Sequence, residues 1–258
     1  MKNILRYILL TCLTTSVVVA GDQENDPNAQ YEIGLQFFKE ENYAEAKRWF
    51  LLAAEQNHAK AQYKLGEMYF KGEGVEKNCN EGMRWYLLAA KQNHAKTQYK
   101  LGLIYFYRCS DYSDAMNWFL LAAKQKHSGA QYMIGKMYYY GFGVIRNFEE
   151  VEKWYLLAAE QNHSDAQYGI GHLYYWEKNY NEAIKWHMLA AKQNHPDAQY
   201  ELGIIYEYGF GTVKDLDMAL SYFLMCSSKN FTKTVDAYIE IDKTCKGQKN
   251  LVNKYFEN

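Results

Sequence analysis

The chain has 258 residues, enough for one or two domains with a sizeable core, and its formal charge of −1 is nearly neutral. That balance excludes the basic surplus of a general nucleic-acid binder, so no nucleic acid is expected among its partners. Tyrosine is over-used at 25 copies while proline occurs only twice, at Pro27 and Pro196, which points to a chain helical over most of its length.

Residues 1–20 read as an export signal. Lys2 and Arg6 supply the basic start, Tyr7 to Ala20 the apolar stretch, and Val18-Val19-Ala20 the small residues at a cleavage point. The apolar run of 14 residues falls short of the roughly 20 that a membrane-spanning helix needs. Cys12 follows Leu10-Thr11 and is followed by more apolar sequence, which argues against lipid attachment there. Cleavage would remove Lys2 and Arg6, leaving 27 basic residues against 30 acidic and no membrane span. The expected location is therefore the periplasm or the medium of a bacterial cell. Residues 21–27 form a short linker.

From residue 28 the chain repeats. The triplet AQY, once TQY, begins at Ala29, Ala61, Thr97, Ala130, Ala166 and Ala198, with steps of 32, 36, 33, 36 and 32 residues. A second block recurs as RWFLLAAEQNH ending at His58, RWYLLAAKQNH at His94 and NWFLLAAKQKH at His127. It returns as KWYLLAAEQNH at His163 and KWHMLAAKQNH at His195, and decays to SYFLMCSSKN at Asn230. Repeats 2, 4 and 6 carry a glycine-bearing link, such as Gly141-Phe142-Gly143, where repeats 1, 3 and 5 have a tighter polar one. The predicted repeats span 28–59, 60–95, 96–128, 129–164, 165–196 and 197–230, as three copies of a long-short pair.

Each block has helical spacing. Ala61, Leu65 and Tyr69 recur every four residues with Gly66 beside them, and Trp49, Leu52, Ala53 and Gln56 share a side of the second helix. The glycine and the paired alanines allow close approach of the two helices. Asn57, Asn93, Asn162 and Asn194 suit the left-handed position that ends a helix. A helix pair of this kind cannot bury its apolar side alone, so the pairs must stack.

The pattern AxxxLGxxYxxGxGV followed by WxxxAA resembles the Sel-one-like repeat family, relatives of the tetratricopeptide repeats, over roughly residues 28–230. The resemblance implies an all-α right-handed α/α superhelix, or solenoid, of six antiparallel helix pairs. It also implies an adaptor that holds other proteins, and many bacterial members are exported. The cysteine-rich exported branch carries a disulfide in each repeat, a regularity missing here. That departure weakens a reading as a penicillin-binding or β-lactamase-like hydrolase. A secreted, host-facing effector is a further alternative.

Residues 231–258 leave the repeat pattern and read as C-terminal capping helices, with Cys245 near Cys226. Cys79 and Cys109 sit in the links of neighbouring repeats. In an oxidising compartment the expected pairs are Cys79–Cys109 and Cys226–Cys245, with four free thiols the alternative. None has CxxC spacing.

Catalytic constellations are hard to place. GxSxG, HExxH and a serine followed three residues later by lysine are all missing, so no enzyme activity and no cofactor are expected. His58, His94, His127, His163 and His195 stand one repeat apart, too far for one metal ion, and read as packing residues at helix ends. His172 and His187 break the pattern. The three GxG triplets follow a helix and read as turns.

A binding face emerges on the first helix of each repeat. The tyrosine of AQY and the residues four, seven and eight later share one side at about 100° per residue. Resemblance to tetratricopeptide repeats implies that this side lines the concave surface. Centred on repeats 3 to 5, the candidate groove comprises Tyr99, Leu103, Phe106, Tyr107, Tyr132, Lys136, Tyr139, Tyr140, Tyr168, His172, Tyr175 and Trp176. An aromatic surface with few charges suits a protein or peptide partner, held by a monomer. The repeated tyrosines themselves are more simply a packing ladder between helices, which leaves the variable positions as the better candidates for specificity.

Overall fold

The computed structural model describes residues 25–226. The export segment 1–20, most of the linker 21–27, the capping segment 231–258 and Cys245 lie outside the described residues, as do the last residues of repeat 6.

Six helix pairs fill the described residues: α1 (Pro27–Lys39) with α2 (Tyr43–Glu55), α3 (Ala59–Lys71) with α4 (Cys79–Lys91), and α5 (Ala95–Ile104) with α6 (Tyr112–Lys124). They continue with α7 (Ser128–Tyr140) and α8 (Phe148–Ala159), α9 (Ser164–Trp176) and α10 (Tyr180–Lys192), then α11 (Pro196–Tyr208) and α12 (216–226). No strand occurs among the described residues. The architecture is all-α, of the α/α solenoid class. The chain divides into two compact units, one ending at Ala130 and the other beginning at Gln131. Both are built on one plan, in which consecutive helices of a unit pack on each other, as α1 does on α2 and α9 on α10.

In the first unit the core consists of one aromatic ring per repeat set against a glycine. Phe50, Tyr86 and Phe119 are buried, and they face Gly34, Gly66 and Gly102 of the partner helix. A Cβ added at Gly34 would stand 2.6 Å from the Phe50 ring, so the glycine is required by close approach. Ala53, Ala89 and Ala122 are fully buried on the same helices as those rings. Burying a phenylalanine in this way contributes about 1.5–3 kcal/mol. The second unit repeats the plan with Tyr155 on Gly135, His187 on Gly171 and Phe223 on Gly203.

The middle residue of AQY is the polar exception. Gln62, Gln98, Gln167 and Gln199 are buried, and each donates from Nε2 to a carbonyl near the end of the preceding helix: Ala54, Ala90, Ala159 and Ala191, at 3.0–3.3 Å. Their Oε1 atoms accept in turn where the following helix supplies a glutamine, as in Gln92 to Gln62 at 2.7 Å and Gln193 to Gln167 at 2.8 Å. One side chain thus joins three successive helices and satisfies a polar group that burial would otherwise penalise.

The links follow from backbone conformation. Asn57, Asn93, Asn162 and Asn194 take φ of 60–63°, as their sequence position predicts, and Lys126 takes the same conformation at 61°. In the long links Gly72, Gly141 and Gly209 hold the left-handed residue that ends the first helix. In the short links that role falls to Glu41, Ser110 and Lys178. Repeat 3 is 33 residues long where repeats 1 and 5 have 32. The extra residue is absorbed as a π-turn over Tyr105–Cys109, closed by Asp111 N–H donating to the Tyr105 carbonyl at 3.1 Å.

Candidate functional site

The histidines of the LAAxQxH block end one repeat and begin the next. Nδ1 of His58, His127, His163 and His195 accepts the N–H three residues on, at 3.2–3.4 Å, so an imidazole takes the N-cap role usually held by Ser, Thr, Asp or Asn. That acceptor fixes the tautomer. Nε2 is then the donor, towards Asn28 Oδ1 from His58 and Asp165 Oδ1 from His195. Burial lowers the pKa of His58, His94 and His163, which favours this neutral form. Among the described residues no group of His, Cys, Asp or Glu could hold a metal ion.

The AQY tyrosines stack on these rings. Tyr99 lies 4.5 Å from His127 and 6.0 Å from Phe119, Tyr132 lies 5.0 Å from His163 and 5.4 Å from Tyr155, and Tyr168 lies 4.9 Å from His195 and 5.6 Å from His187. All three are half-buried. These contacts are those of a packing ladder: the rings join a helix pair to the next N-cap. Phe106 is corrected as a candidate, since it is buried against Tyr112. Tyr175 turns into the next link, with its edge to Tyr180 at 5.5 Å and Phe210 at 6.0 Å. His172 accepts from Trp176 Nε1 at 3.1 Å, and burial lowers its pKa. Lys136 is half-buried, and its charge helps hold the Asp165 carboxyl below its usual range, behind the larger effect of the His195 hydrogen bond.

Four of the expected residues do line grooves, two in each unit. In the second unit a groove of about 490 Å³ is bounded by Tyr139, Leu173, Trp176 and Glu177 together with Phe148, Glu149 and Glu152 at the start of α8. Trp176 is 70% exposed and Phe148 61%, with Tyr140 beside them at 50%. Tyr139 meets Tyr140 and Phe148 edge-on at 4.9 and 5.9 Å, which fixes the aromatic wall. In the first unit a groove of about 400 Å³ is lined by Leu103 and Tyr107 with Phe70, Tyr86, Ile104 and Arg108, among others. The contribution of α8 lies outside any projection of the first helices alone. Its signal was Phe148 itself, a large apolar residue directly after the N-cap Asn147.

Of the two expected cysteine pairs, the described residues bear only on Cys79–Cys109, and no bond joins those two. Cys79 and Cys109 are free and exposed, and the group facing Cys79 Sγ is the Arg108 guanidinium at 3.5 Å. Cys79 opens α4 while Cys109 closes the π-turn, and the intervening Arg108 holds the approach to the sulfur. Cys226 is buried and free, its expected partner Cys245 lying outside the described residues.

The Sel1 repeat model matches six consecutive segments: 27–58, 59–94, 95–127, 128–163, 164–195 and 196–230. The chain belongs to the Sel1 repeat family. These boundaries fall within a residue of those read from the internal periodicity. The Sel1 architecture is shared with a Sel1 repeat protein from Oxalobacter formigenes, at 30% identity and a TM-score of 0.73 over 79% of this chain and 88% of that one. It is shared too with a protective antigen of uropathogenic Escherichia coli strains that displays an SLR fold. That similarity has 26% identity and a TM-score of 0.76, and covers 85% of this chain. The chain spans 50% of the length of that antigen. An immunity protein from Pseudomonas aeruginosa, at 20% identity and a TM-score of 0.51, covers 78% of this chain and 81% of its own and shares the fold alone. Comparison with curated protein sequences gives no match. The molecule is therefore a Sel1 repeat scaffold, a type suggestive of protein interaction. No helix among the described residues is long and apolar enough to cross a membrane.

Proposed function

We propose that this Sel1 repeat protein is an exported, non-catalytic adaptor that binds a protein or peptide partner through its aromatic grooves. The observation that carries the reading is the exposure of Phe148 and Trp176 on one groove of the second unit. Large aromatic side chains contribute most to an interface when a partner removes them from water, and a monomer has no folding reason to leave them bare. Export is the part of the proposal that rests on residues 1–20, with their basic start, apolar run and Val18-Val19-Ala20.

The test is affinity capture from a native cell envelope, with the wild-type chain and a Phe148→Ala/Trp176→Ala variant as parallel baits. A partner retained by the first and lost by the second is the expected result, with both baits equally helical. A partner held equally by both would refute the groove. Fractionation of periplasm, membrane and medium tests export. Nitrocefin turnover and fluorescent-penicillin labelling, both expected to be negative, test the hydrolase alternative.

A further inference from the structure

The internal duplication sets the two grooves side by side as natural variants of one design. At a constant offset of 69 residues, Phe70 corresponds to Tyr139, Cys79 to Phe148, Ile104 to Leu173, Tyr107 to Trp176 and Arg108 to Glu177. Except for Cys79, each of these residues lines its groove. The aromatic and apolar walls are thus retained while the rim changes sign.

In the first unit the chain supplies its own cation to the ring seven places after the AQY tyrosine. Lys64 lies over the Phe38 ring at 5.2 Å, and Arg108 lies over the Phe70 ring at 5.5 Å. In both cases the cation comes from the repeat that follows the ring. Tyr139 is the equivalent ring in repeat 4, and the corresponding positions of the following repeat hold Gly169 and Glu177 in place of Lys64 and Arg108. Glu149 and Glu152 add two further carboxylates to the same groove. The ring that elsewhere takes an ammonium or a guanidinium here shares its groove with three carboxylates, which is the charge arrangement that receives a cation from outside.

Building on the peptide-binding reading, we propose that the second-unit groove is selective for a basic side chain, arginine or lysine, presented between apolar residues of an extended partner segment. The cation sits among Tyr139, Trp176 and the three carboxylates, and the flanking apolar residues cover Phe148 and Leu173.

The test is selection of random dodecapeptides displayed on phage against the full chain. Selected clones are then measured against three variants: Phe148→Ala/Trp176→Ala, Glu149→Gln/Glu152→Gln/Glu177→Gln, and Glu177→Arg. All the changed side chains lie on the surface except Glu152, and unchanged circular dichroism and melting certify each variant. The expected result is enrichment of clones with arginine or lysine flanked by apolar residues. Their binding should weaken at least tenfold on every variant, weaken as salt is raised, and be lost when glutamine replaces the basic residue. Clones that require Phe148 and Trp176 but carry no basic residue and ignore the glutamate changes would overturn the charge selectivity while leaving the groove. Failure to enrich any clone that depends on Phe148 and Trp176 would overturn the groove reading as well.

Discussion

Gln92 Nε2 donates to Gln62 Oε1 at 2.7 Å, while Gln62 Nε2 donates to the Ala54 carbonyl at 3.0 Å. Gln62 is 1% exposed, so its amide must find both partners within the stack. Replacement by leucine keeps the volume and removes both bonds. Ala54 retains the Asn57 N–H and Gln92 can turn to water, so Gln62→Leu is expected to cost about 1–2 kcal/mol in urea unfolding. Gln62→Glu is expected to cost more near neutrality, because a buried carboxylate then faces a carbonyl oxygen. Part of that loss should return on acidification, once the protonated carboxyl can donate to Ala54.

Lys126 breaks the pattern of the helix ends. Four of the five repeats with this block place asparagine at the left-handed residue, and only repeat 3 uses lysine, at φ 61°. A Cβ-bearing side chain pays for this conformation unless, as in asparagine, a short polar group bonds locally. Lys126→Asn is expected to stabilise the chain by about 0.5 kcal/mol and Lys126→Gly by a similar amount. Asn57→Ala should destabilise it by about the same margin. Thermal melts of the three variants decide the matter, and a lower melting temperature for Lys126→Asn would contradict the backbone account.

The thiols offer a direct chemical check. With Cys79 and Cys109 exposed and Cys226 buried, a brief maleimide treatment of the native chain should label the first two and spare the third. Peptide mapping after the reaction reads each site separately. A Cys79–Cys109 disulfide would instead appear as a linked peptide pair that resists labelling until reduced.

The helices and repeat boundaries were legible in the sequence because they depend on local periodicity and on small residues at fixed places, Gly66 and Ala53 among them. The left-handed asparagines were legible for the same reason. The groove was only half legible. Tyr139 and Trp176 belong to first helices, which the projection covers, but Phe148, Glu149 and Glu152 arrive from the opposite helix of the pair, which no single-helix projection can anticipate. Tyr175 was misread because it precedes a short link and packs on Phe210 of the following repeat. Nor could one sequence reveal that the Gln of AQY is buried, since its partners lie about 26–30 residues away or at the end of the preceding helix.

His187 carries the strongest pH prediction. It occupies the ring position that holds Phe50, Tyr86, Phe119, Tyr155 and Phe223 elsewhere, and neither imidazole nitrogen has a hydrogen-bond partner. Tyr168 lies tilted against it with ring centroids 5.6 Å apart, and Gly171 is the close neighbour that admits the ring. Burial, reinforced by His172 and His195, pushes its pKa down to about 3 from the ordinary 6.5. The native state therefore holds it neutral, whereas the unfolded chain gains a proton below pH 6.5. Stability is unaffected above that value and falls with acidification between 6.5 and 3, by up to about 1.4 kcal/mol per pH unit. At pH 5 the loss approaches 2 kcal/mol relative to pH 8, roughly, for this group alone. His187→Phe restores the ring used in repeats 1, 3 and 6 and removes the titration. Denaturant midpoints of the two proteins should therefore lie closest at pH 8 and diverge towards pH 5, with the variant the more stable. Parallel pH profiles would show that His187 finds a proton partner or water in the folded chain.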